Sequence, residues 1–258
     1  MHRRALALAP LLLPLAAARG ARAQDAPVIA AAADLKFAIA EIAQAFQAAG
    51  HGTVRLAPGS TGNLARQIEQ GAPFQVFLAA DESFVFRLAD RGLTRDRGDL
   101  YAIGRIVLFV PPHSPLAADG TLADLRGALA AGQVSRFAIA NPDHAPYGRA
   151  AREALRHQGL WDGLQRVLVL GENVSQAAQF ATSGNAQGGI IAYSLALAPQ
   201  MHPMGRFALI PAEWHEPLRQ RMVLLRNAGP VAERFYAFMQ EKQAREIMAR
   251  YGFVLPGE

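Results

Sequence analysis

The chain has 258 residues, a formal net charge of +5 and no cysteine. Four of its 26 basic residues, Arg3, Arg4, Arg19 and Arg22, lie in a leader-like N-terminus, so the rest is nearly neutral and lacks the basic face that nucleic-acid binding requires. The absence of cysteine excludes disulfides and thiolate metal sites, so the fold depends on its hydrophobic core, for which the chain is long enough.

Residues 1–23 are typical of a cleavable secretory signal. Basic residues at positions 2–4 precede an apolar run at 5–17, and Ala21-Arg22-Ala23 matches the small-x-small pattern of a cleavage site. Pro10 and Pro14 interrupt the run, which is shorter than the roughly 20 residues of a membrane-spanning helix. The sequence therefore predicts export with cleavage before Gln24, rather than a membrane anchor.

Short β-type runs alternate with helical patterns in the next part of the chain. The predicted strand and helix pairs are 28–32 with 36–49, 54–56 with 64–70, and 76–79 with 83–91. In the first helix Ile39, Ile42 and Phe46 recur on one face, and Gly50 favours its end. This βαβ series predicts a parallel sheet covered by helices.

An apolar stretch at 103–110 predicts a long strand that runs into Pro111-Pro112 and carries the chain towards a second lobe. The proline- and glycine-rich tract at 111–120 is typical of a surface connection. The elements predicted beyond it are helix 122–131, strand 137–140, helix 149–158, strand 167–170, a helix opened by Gly171 that runs to 182, and strand 189–193. The stretch 221–226 then returns the chain to the first lobe, where helices 231–239 and 243–251 pack. We therefore expect an α/β protein with lobe 1 at about 24–106 plus 222–258 and lobe 2 at about 107–221.

Four loops rich in small and hydroxyl residues follow predicted strands. They are Ala31-Ala32-Ala33-Asp34, Gly59-Ser60-Thr61-Gly62-Asn63, the loop 141–148 with Ala145-Pro146-Tyr147-Gly148, and Gly171-Glu172-Asn173-Val174. Open α/β sheets bind ligands at the carboxyl ends of their strands, and helix N-termini offer unpaired N–H groups and a positive dipole end. One such loop alone is an ordinary capped turn. Four of them, two from each lobe, predict a cradle that holds a small oxyanion without lysine or arginine.

No catalytic constellation accompanies these loops. Ser60 is not in a Gly-x-Ser-x-Gly elbow, and the His-Glu-x-x-His and Walker motifs are absent. His144 is the histidine closest to a predicted site loop, and we interpret it as a surface-loop residue. We expect a binding protein that is not an enzyme and carries no cofactor. A periplasmic hydrolase or transferase for phosphorylated or sulfated substrates, and a carrier of iron or another metal, are the alternatives.

With these residues the chain resembles the ModA-type periplasmic molybdate-binding proteins of ABC transporters, over nearly all of its mature part. The motifs that carry the resemblance are Ala-Ala-Ala-Asp-Leu at 31–35, Gly-Ser-Thr-Gly at 59–62, Leu-Ala-Arg-Gln-Ile at 64–68, Gly-Ala-Pro at 71–73, Ala-Ala-Asp at 79–81, Ala-Ile-Ala-Asn-Pro at 138–142, Ala-Pro-Tyr-Gly at 145–148, Gly-Glu-Asn-Val at 171–174 and Arg-Tyr-Gly-Phe at 250–253. No single motif is diagnostic, whereas their order and spacing together are specific.

The resemblance implies a periplasmic binding protein of the type II fold, in which each lobe has a mainly parallel sheet flanked by helices and the ligand cleft lies between the lobes. Such a protein captures molybdate, and tungstate as well, and delivers it to an ABC permease at the inner membrane. We expect a monomer. A binding protein for another tetrahedral oxyanion, such as phosphate or sulfate, is the alternative within this class.

Carried over position by position, the resemblance nominates as ligand-binding residues Ala33, Asp34, Ser60, Thr61, Tyr147 and Val174. These residues would hold the oxyanion through hydrogen bonds, without direct bonds to the metal centre, and Ala33 and Val174 would do so through backbone N–H groups. One branch of the family uses a tyrosine on the late strand, where this chain has Ala192 followed by Tyr193. We favour Tyr147 as the contact.

Asp34 departs from the family pattern, which usually has serine or asparagine there. A carboxylate beside a dianion is repelled by roughly 4 kcal/mol for each unit-charge pair at 4 Å and an effective dielectric near 20. We therefore expect its side chain to turn away from the ligand and cap the following helix, while its N–H points at the ligand. The alternative is that Asp34 is protonated, or accepts a hydrogen from a protonated oxyanion such as hydrogen phosphate.

Overall fold

The computed structural model describes residues 26–257, so the predicted leader and its cleavage site lie outside the described residues. The strands of this range are β1 Val28–Ala32, β2 Arg55–Gly59, β3 Phe74–Ala79, β4 Asp99–Gly104, β5 Ile106–Val110, β6 Phe137–Ala140, β7 Leu168–Gly171, β8 Gly188–Ala192, β9 Arg206–Leu209 and β10 Leu218–Leu224. The helices are α1 Lys36–Ala48, α2 Thr61–Glu69, α3 Glu82–Asp90, α4 Ala123–Ala130, α5 Pro146–His157, α6 Trp161–Leu164, α7 Val174–Thr182, α8 Tyr193–Ala196, α9 Pro230–Phe238 and α10 Lys242–Arg250. None of these helices is long and apolar enough to cross a membrane.

The strands form two five-stranded sheets of the same design. The sheet of lobe 1 has the order β2-β1-β3-β10-β4, and the sheet of lobe 2 has the order β7-β6-β8-β5-β9. In each sheet the first three strands are parallel, and an antiparallel strand, β10 or β5, follows. The strands β1, β2, β6 and β7 therefore direct their carboxyl ends towards the loops that were predicted to form the site.

The apolar stretch at 103–110 is two strands, and the prediction of one long strand was wrong. The strand β4 ends at Gly104 in lobe 1, and β5 begins at Ile106 in lobe 2. The first crossing therefore lies at Arg105, next to the approximate lobe boundary at 106 and ahead of Pro111-Pro112. The strand β5 is fully buried, and a run of buried residues carries no signal of a change of sheet. The second crossing lies between β9 and β10. The strand β10 begins at Leu218, ahead of the approximate boundary at 222. The sequence placed this boundary too late because Arg219 and Gln220 interrupt the apolar pattern of the strand.

Each sheet is covered by helices on both faces. In lobe 1, Phe46 of α1 contacts Phe235 and Phe238 of α9 edge to face, with ring centroids 5.2 and 5.5 Å apart. The helices α2 and α3 cover the opposite face with a separate cluster that includes Leu64 and Leu88. The predicted apolar face of α1 is buried in the cluster that contains Phe46, Phe235 and Phe238. This packing places the helix starts at the ends of the strands.

Candidate functional site

A pocket of about 190 Å³, part of which is open to solvent, lies where four helix starts meet between the lobes; we call it the cavity. Its lining residues are Ala32, Ala33, Asp34, Gly59, Ser60, Thr61, Ala80, Ala145, Pro146, Tyr147, Asn173 and Val174. All six residues predicted to bind the ligand are among them. None of the lining residues is lysine or arginine. The sequence thus predicted which residues meet, while their contact with a ligand stays a prediction.

Three of the helix starts present backbone N–H groups that have no acceptor within their own helix. The N-caps of α2, α5 and α7 are Ser60, Ala145 and Asn173. The first N–H groups beyond these caps belong to Thr61, to Tyr147, because Pro146 has none, and to Val174. The fourth start is the 3-10 turn Ala33–Leu35, which leads into α1. These starts direct the positive ends of helix dipoles at one point.

Two of the helices begin earlier than the sequence pattern predicts. The helix α2 begins at Thr61 and not at 64, and α5 begins at Pro146 and not at 149. The early turns contain Gly62 and Gly148, whose low helix propensity hides the true start. As a result, Thr61 and Tyr147, which the sequence assigned to loops, are first-turn residues whose N–H groups have no acceptor within the helix.

The hydroxyl groups of Ser60 and Thr61 have different partners. Thr61 Oγ1 accepts a hydrogen bond from the N–H of Ala80 at 3.0 Å, so its own hydrogen is free for a further acceptor. Ser60 Oγ lies 2.7 Å from the carbonyl oxygen of His144 and 2.9 Å from its Nδ1. Thr61 is therefore placed to donate into the cavity, whereas Ser60 joins the two lobes.

Asp34 turns its carboxylate into a buried network and does not cap the next helix. The residue is 1 % exposed, and its Oδ2 accepts hydrogen bonds from the Tyr147 hydroxyl at 3.0 Å and from Gln220 Nε2 at 2.7 Å. No side-chain capping bond is made at the start of α1, so the capping expectation was wrong. Asp34 Oδ1 has no hydrogen-bond partner within residues 26–257.

Sequence reasoning missed the rest of this network, which comes from β4 and β10. Gln220 Nε2 also lies 3.1 Å from the Tyr147 hydroxyl oxygen, and Gln220 Oε1 accepts from the Tyr101 hydroxyl at 2.8 Å. Gly104 lies beside them, and a Cβ there would be 2.3 Å from the Tyr147 hydroxyl oxygen. Gln220 is fully buried, but it lies between Arg219 and Arg221 in the sequence, so nothing local marks it as a buried residue.

Burial within the network keeps two phenols protonated and brings the pKa of one carboxyl group towards neutral pH. Burial raises the pKa of Asp34 to about 6, while Gln220, Tyr147 and the backbone N–H groups of Asp34 and Leu35 oppose the rise. Burial also raises the pKa values of Tyr147 and Tyr101 well above the usual range, and the nearby Asp34 adds to both shifts. Tyr147 and Tyr101 therefore remain donors at any physiological pH, while Asp34 can change its charge.

Contacts between the lobes surround the cavity. The N–H of Gly62 in lobe 1 donates to the carbonyl oxygen of His144 in lobe 2 at 3.0 Å, and Arg149 pairs with Asp81 across the cleft at 3.1 Å. His144 lies in a turn, as the sequence indicates, but its side chain is only 11 % exposed and is therefore not on the open surface. The lobes are in contact, as in a closed binding protein.

Residues 27–254 match the family model described as the bacterial extracellular solute-binding proteins, and the chain belongs to this family. It is 36 % identical to the molybdate-binding protein ModA of Rhodobacter capsulatus, over 80 % of this chain and 78 % of the relative. It is 33 % identical to ModA of Azotobacter vinelandii, over 90 % of this chain and 92 % of the relative.

The solved structure of the Azotobacter vinelandii periplasmic molybdate-binding protein confirms the predicted fold. It superimposes with a TM-score of 0.79 and 30 % identity, over 89 % of this chain and 99 % of that one. The sulfate-binding protein SubI of Mycobacterium tuberculosis superimposes with a TM-score of 0.73, but its 15 % identity shows a shared fold alone. The resemblance stated from the motifs is therefore confirmed over most of the chain.

Proposed function

We propose that this chain is a periplasmic binding protein that captures molybdate, and tungstate as well, and delivers it to an ABC permease at the inner membrane. The observation that carries the proposal is the convergence of four helix starts, two from each lobe, on one cavity without lysine or arginine. Neutral donors of this kind bind a small dianion through helix dipoles and hydrogen bonds. The ModA relatives, which are named for molybdate binding, support the choice of ligand.

The residues of the cavity have distinct proposed roles. Backbone N–H groups of Ala33, Asp34, Tyr147 and Val174 donate to the oxyanion, and the Thr61 hydroxyl adds a donor. Tyr147 acts through its N–H because its hydroxyl is engaged with Asp34. Ser60 either exchanges its bond with His144 for one with the ligand or supplies its own N–H.

Transport follows from closure of the lobes. A ligand that contacts both lobes binds the closed form more tightly than the open one and so shifts the population towards closure. The permease then distinguishes a loaded protein from an unloaded one by its shape. None of these steps requires a chemical change in the ligand, and we propose that the protein acts without catalysis, as a monomer, after cleavage of its leader.

A thermal-shift panel of oxyanions on the purified mature chain tests the proposal. Ligand at about 100 times Kd adds roughly 2.7 kcal/mol to the free energy of unfolding, which raises the Tm by about 5–10 °C for a chain of this size. Molybdate and tungstate are expected to give this shift, and sulfate and phosphate at equal concentration are not. A shift with phosphate or sulfate alone would assign a different oxyanion, and no shift with any of the four would contradict the proposal.

The ion pair between Arg149 and Asp81 offers a test of closure. Its side chains are 24 % and 18 % exposed and belong to different lobes. The Arg149→Gln variant is expected to weaken molybdate binding about two- to fivefold, because a partly exposed ion pair contributes up to about 1 kcal/mol. Titration calorimetry measures the change. The control is Arg97→Gln, which removes an exposed pair with Asp90 inside lobe 1 and is expected to leave Kd unchanged.

A further inference from the structure

We propose that Asp34 takes up a proton when the oxyanion binds and that its Oδ1 then donates a hydrogen bond to the anion. The inference deepens the proposed function and rests on it. It assigns to Asp34 a side-chain role in ligand binding, beyond the backbone N–H that the resemblance implies. Capture of the anion is therefore coupled to the pH of the surroundings.

The position of the proton follows from the hydrogen bonds of the carboxyl group. Oδ2 accepts from two donors, Tyr147 and Gln220, which leaves no suitable place for a hydrogen on that oxygen. Oδ1 is buried and belongs to a residue that lines the cavity. It makes no hydrogen bond within residues 26–257, although the backbone N–H groups of Asp34 and Leu35 lie near the carboxyl group. A proton on Oδ1 therefore turns the one unsatisfied acceptor of this group into a donor. An oxyanion in the cavity supplies the acceptor that this donor needs.

The groups that face Asp34 offer no positive charge to offset a neighbouring dianion. They are Tyr147 from α5, Tyr101 from β4, Gln220 from β10 and Ser194 from α8, whose hydroxyl donates to the Asp34 carbonyl oxygen at 2.8 Å. No lysine or arginine pairs with Asp34 within the described part of the chain. A dianion beside an ionised carboxylate is repelled, so binding raises the proton affinity of the carboxyl group further. Burial has already raised its pKa to about 6, so this further rise extends protonation into the neutral range.

The sign of the pH dependence follows from linkage. Because the complex holds one more proton than the free protein, affinity rises as the pH falls from the pKa of Asp34 in the complex towards about 6, its value in the free protein. Below that value both forms are protonated and the affinity is constant. Within the window, the uptake of one proton changes Kd up to about tenfold for each pH unit.

Titration calorimetry with molybdate, in two buffers of different ionisation enthalpy at about pH 7, measures the protons taken up per bound anion. The wild type is expected to take up close to one proton, and the number is expected to fall towards zero below about pH 6. The Asp34→Asn variant is expected to bind molybdate with no proton uptake and with a Kd that does not depend on pH. Its amide oxygen still accepts from Tyr147 and Gln220, and its NH₂ group occupies the place of Oδ1 as a permanent donor.

His144 places an imidazole ring beside the cavity, since its ring contacts Ser60. The His144→Gln variant is therefore the matched control, and it is expected to retain the proton uptake of the wild type. Loss of uptake in His144→Gln together with its persistence in Asp34→Asn would overturn the inference. Binding by the wild type without any proton uptake would also overturn it, whether or not the Asp34→Asn variant folds. By contrast, the absence of oxyanion heat in every variant at every pH would refute the proposed function itself.

Discussion

The Gly62→Ala variant is expected to bind molybdate at least tenfold more weakly than the wild type while both lobes remain folded. A Cβ at position 62 would lie 2.5 Å from the carbonyl oxygen of His144, and its three closest neighbours all belong to that residue. His144 lies in the other lobe, so the clash exists only when the lobes are closed. A cost of about 1.4 kcal/mol on closure is enough for the tenfold loss.

Stability measurements separate this effect from damage to the fold. Gly62 lies in the first turn of α2, where alanine is the better helix former by about 1 kcal/mol. The Tm without ligand is therefore expected to stay constant or to rise, while calorimetry shows the weaker Kd. Wild-type affinity in a folded Gly62→Ala protein would show that the lobes do not bind ligand in the arrangement described here.

Two other glycines provide the controls. Gly127 lies in α4, and a Cβ there would meet no atom within 4 Å, so Gly127→Ala is expected to leave Kd unchanged. Gly148 lies close to the cavity, but its Cβ would be 2.2 Å from the carbonyl oxygen of Ala140 within the same lobe. Gly148→Ala is therefore expected to lower the Tm without ligand, whereas Gly62→Ala is not expected to lower it.

The Asp34→Asn variant is expected to raise the free energy of unfolding, measured without ligand at pH 7, by up to about 3 kcal/mol. Burial raises the pKa of Asp34 from 3.8 to about 6, and each pKa unit corresponds to about 1.4 kcal/mol between the two protonation states. Ionisation of Asp34 thus destabilises the native state relative to the unfolded chain. Asparagine keeps the acceptor for Tyr147 and Gln220 and removes this cost.

The raised pKa of Asp34 also determines how the free energy of unfolding depends on pH. The native protein binds the Asp34 proton more tightly than the unfolded chain does, so this contribution to stability is complete below the unfolded pKa and is lost as the pH rises to about 6. The advantage of Asp34→Asn is therefore expected to be small near pH 4 and complete above about pH 6. Urea unfolding at a series of pH values measures it.

Asp119 provides a control of opposite sign. Hydrogen bonds from Thr121 lower the pKa of its carboxyl group, so the ionised form stabilises the native state, and Asp119→Asn is expected to lower stability above pH 4. A variant Asp34→Asn that is less stable than the wild type above pH 7 would contradict the account of the buried network.

The sequence predicted the site because its residues are set by local signals. Small and hydroxyl residues between a β-type run and an amphipathic helix mark a strand-to-helix junction, and the parallel arrangement places such junctions at one edge of a sheet. This reasoning brought Ser60, Thr61, Tyr147 and Val174 to one place, where the structure has them. The exact helix starts were missed because glycines in the first turns weaken the helical pattern.

The partners of Asp34 could not be predicted in the same way. Tyr147 lies 113 positions and Gln220 186 positions along the chain from Asp34. A hydrogen bond over such a separation leaves no periodic or local mark in a single sequence. The division of 103–110 between two sheets was missed for a related reason, since the parts of β4 and β5 within this stretch are almost wholly apolar whichever lobe they join.

By itself, the sequence determined the α/β architecture and the four strand-to-helix junctions that line the cavity, because periodicity, glycine and capping residues act over a few neighbouring positions. Only the tertiary structure decided where the chain crosses between the lobes, which hydroxyls are free, and what surrounds Asp34. The physical reason is that the charge state of a buried carboxyl depends on desolvation and on donors from distant strands, and these exist only once both lobes have folded and met.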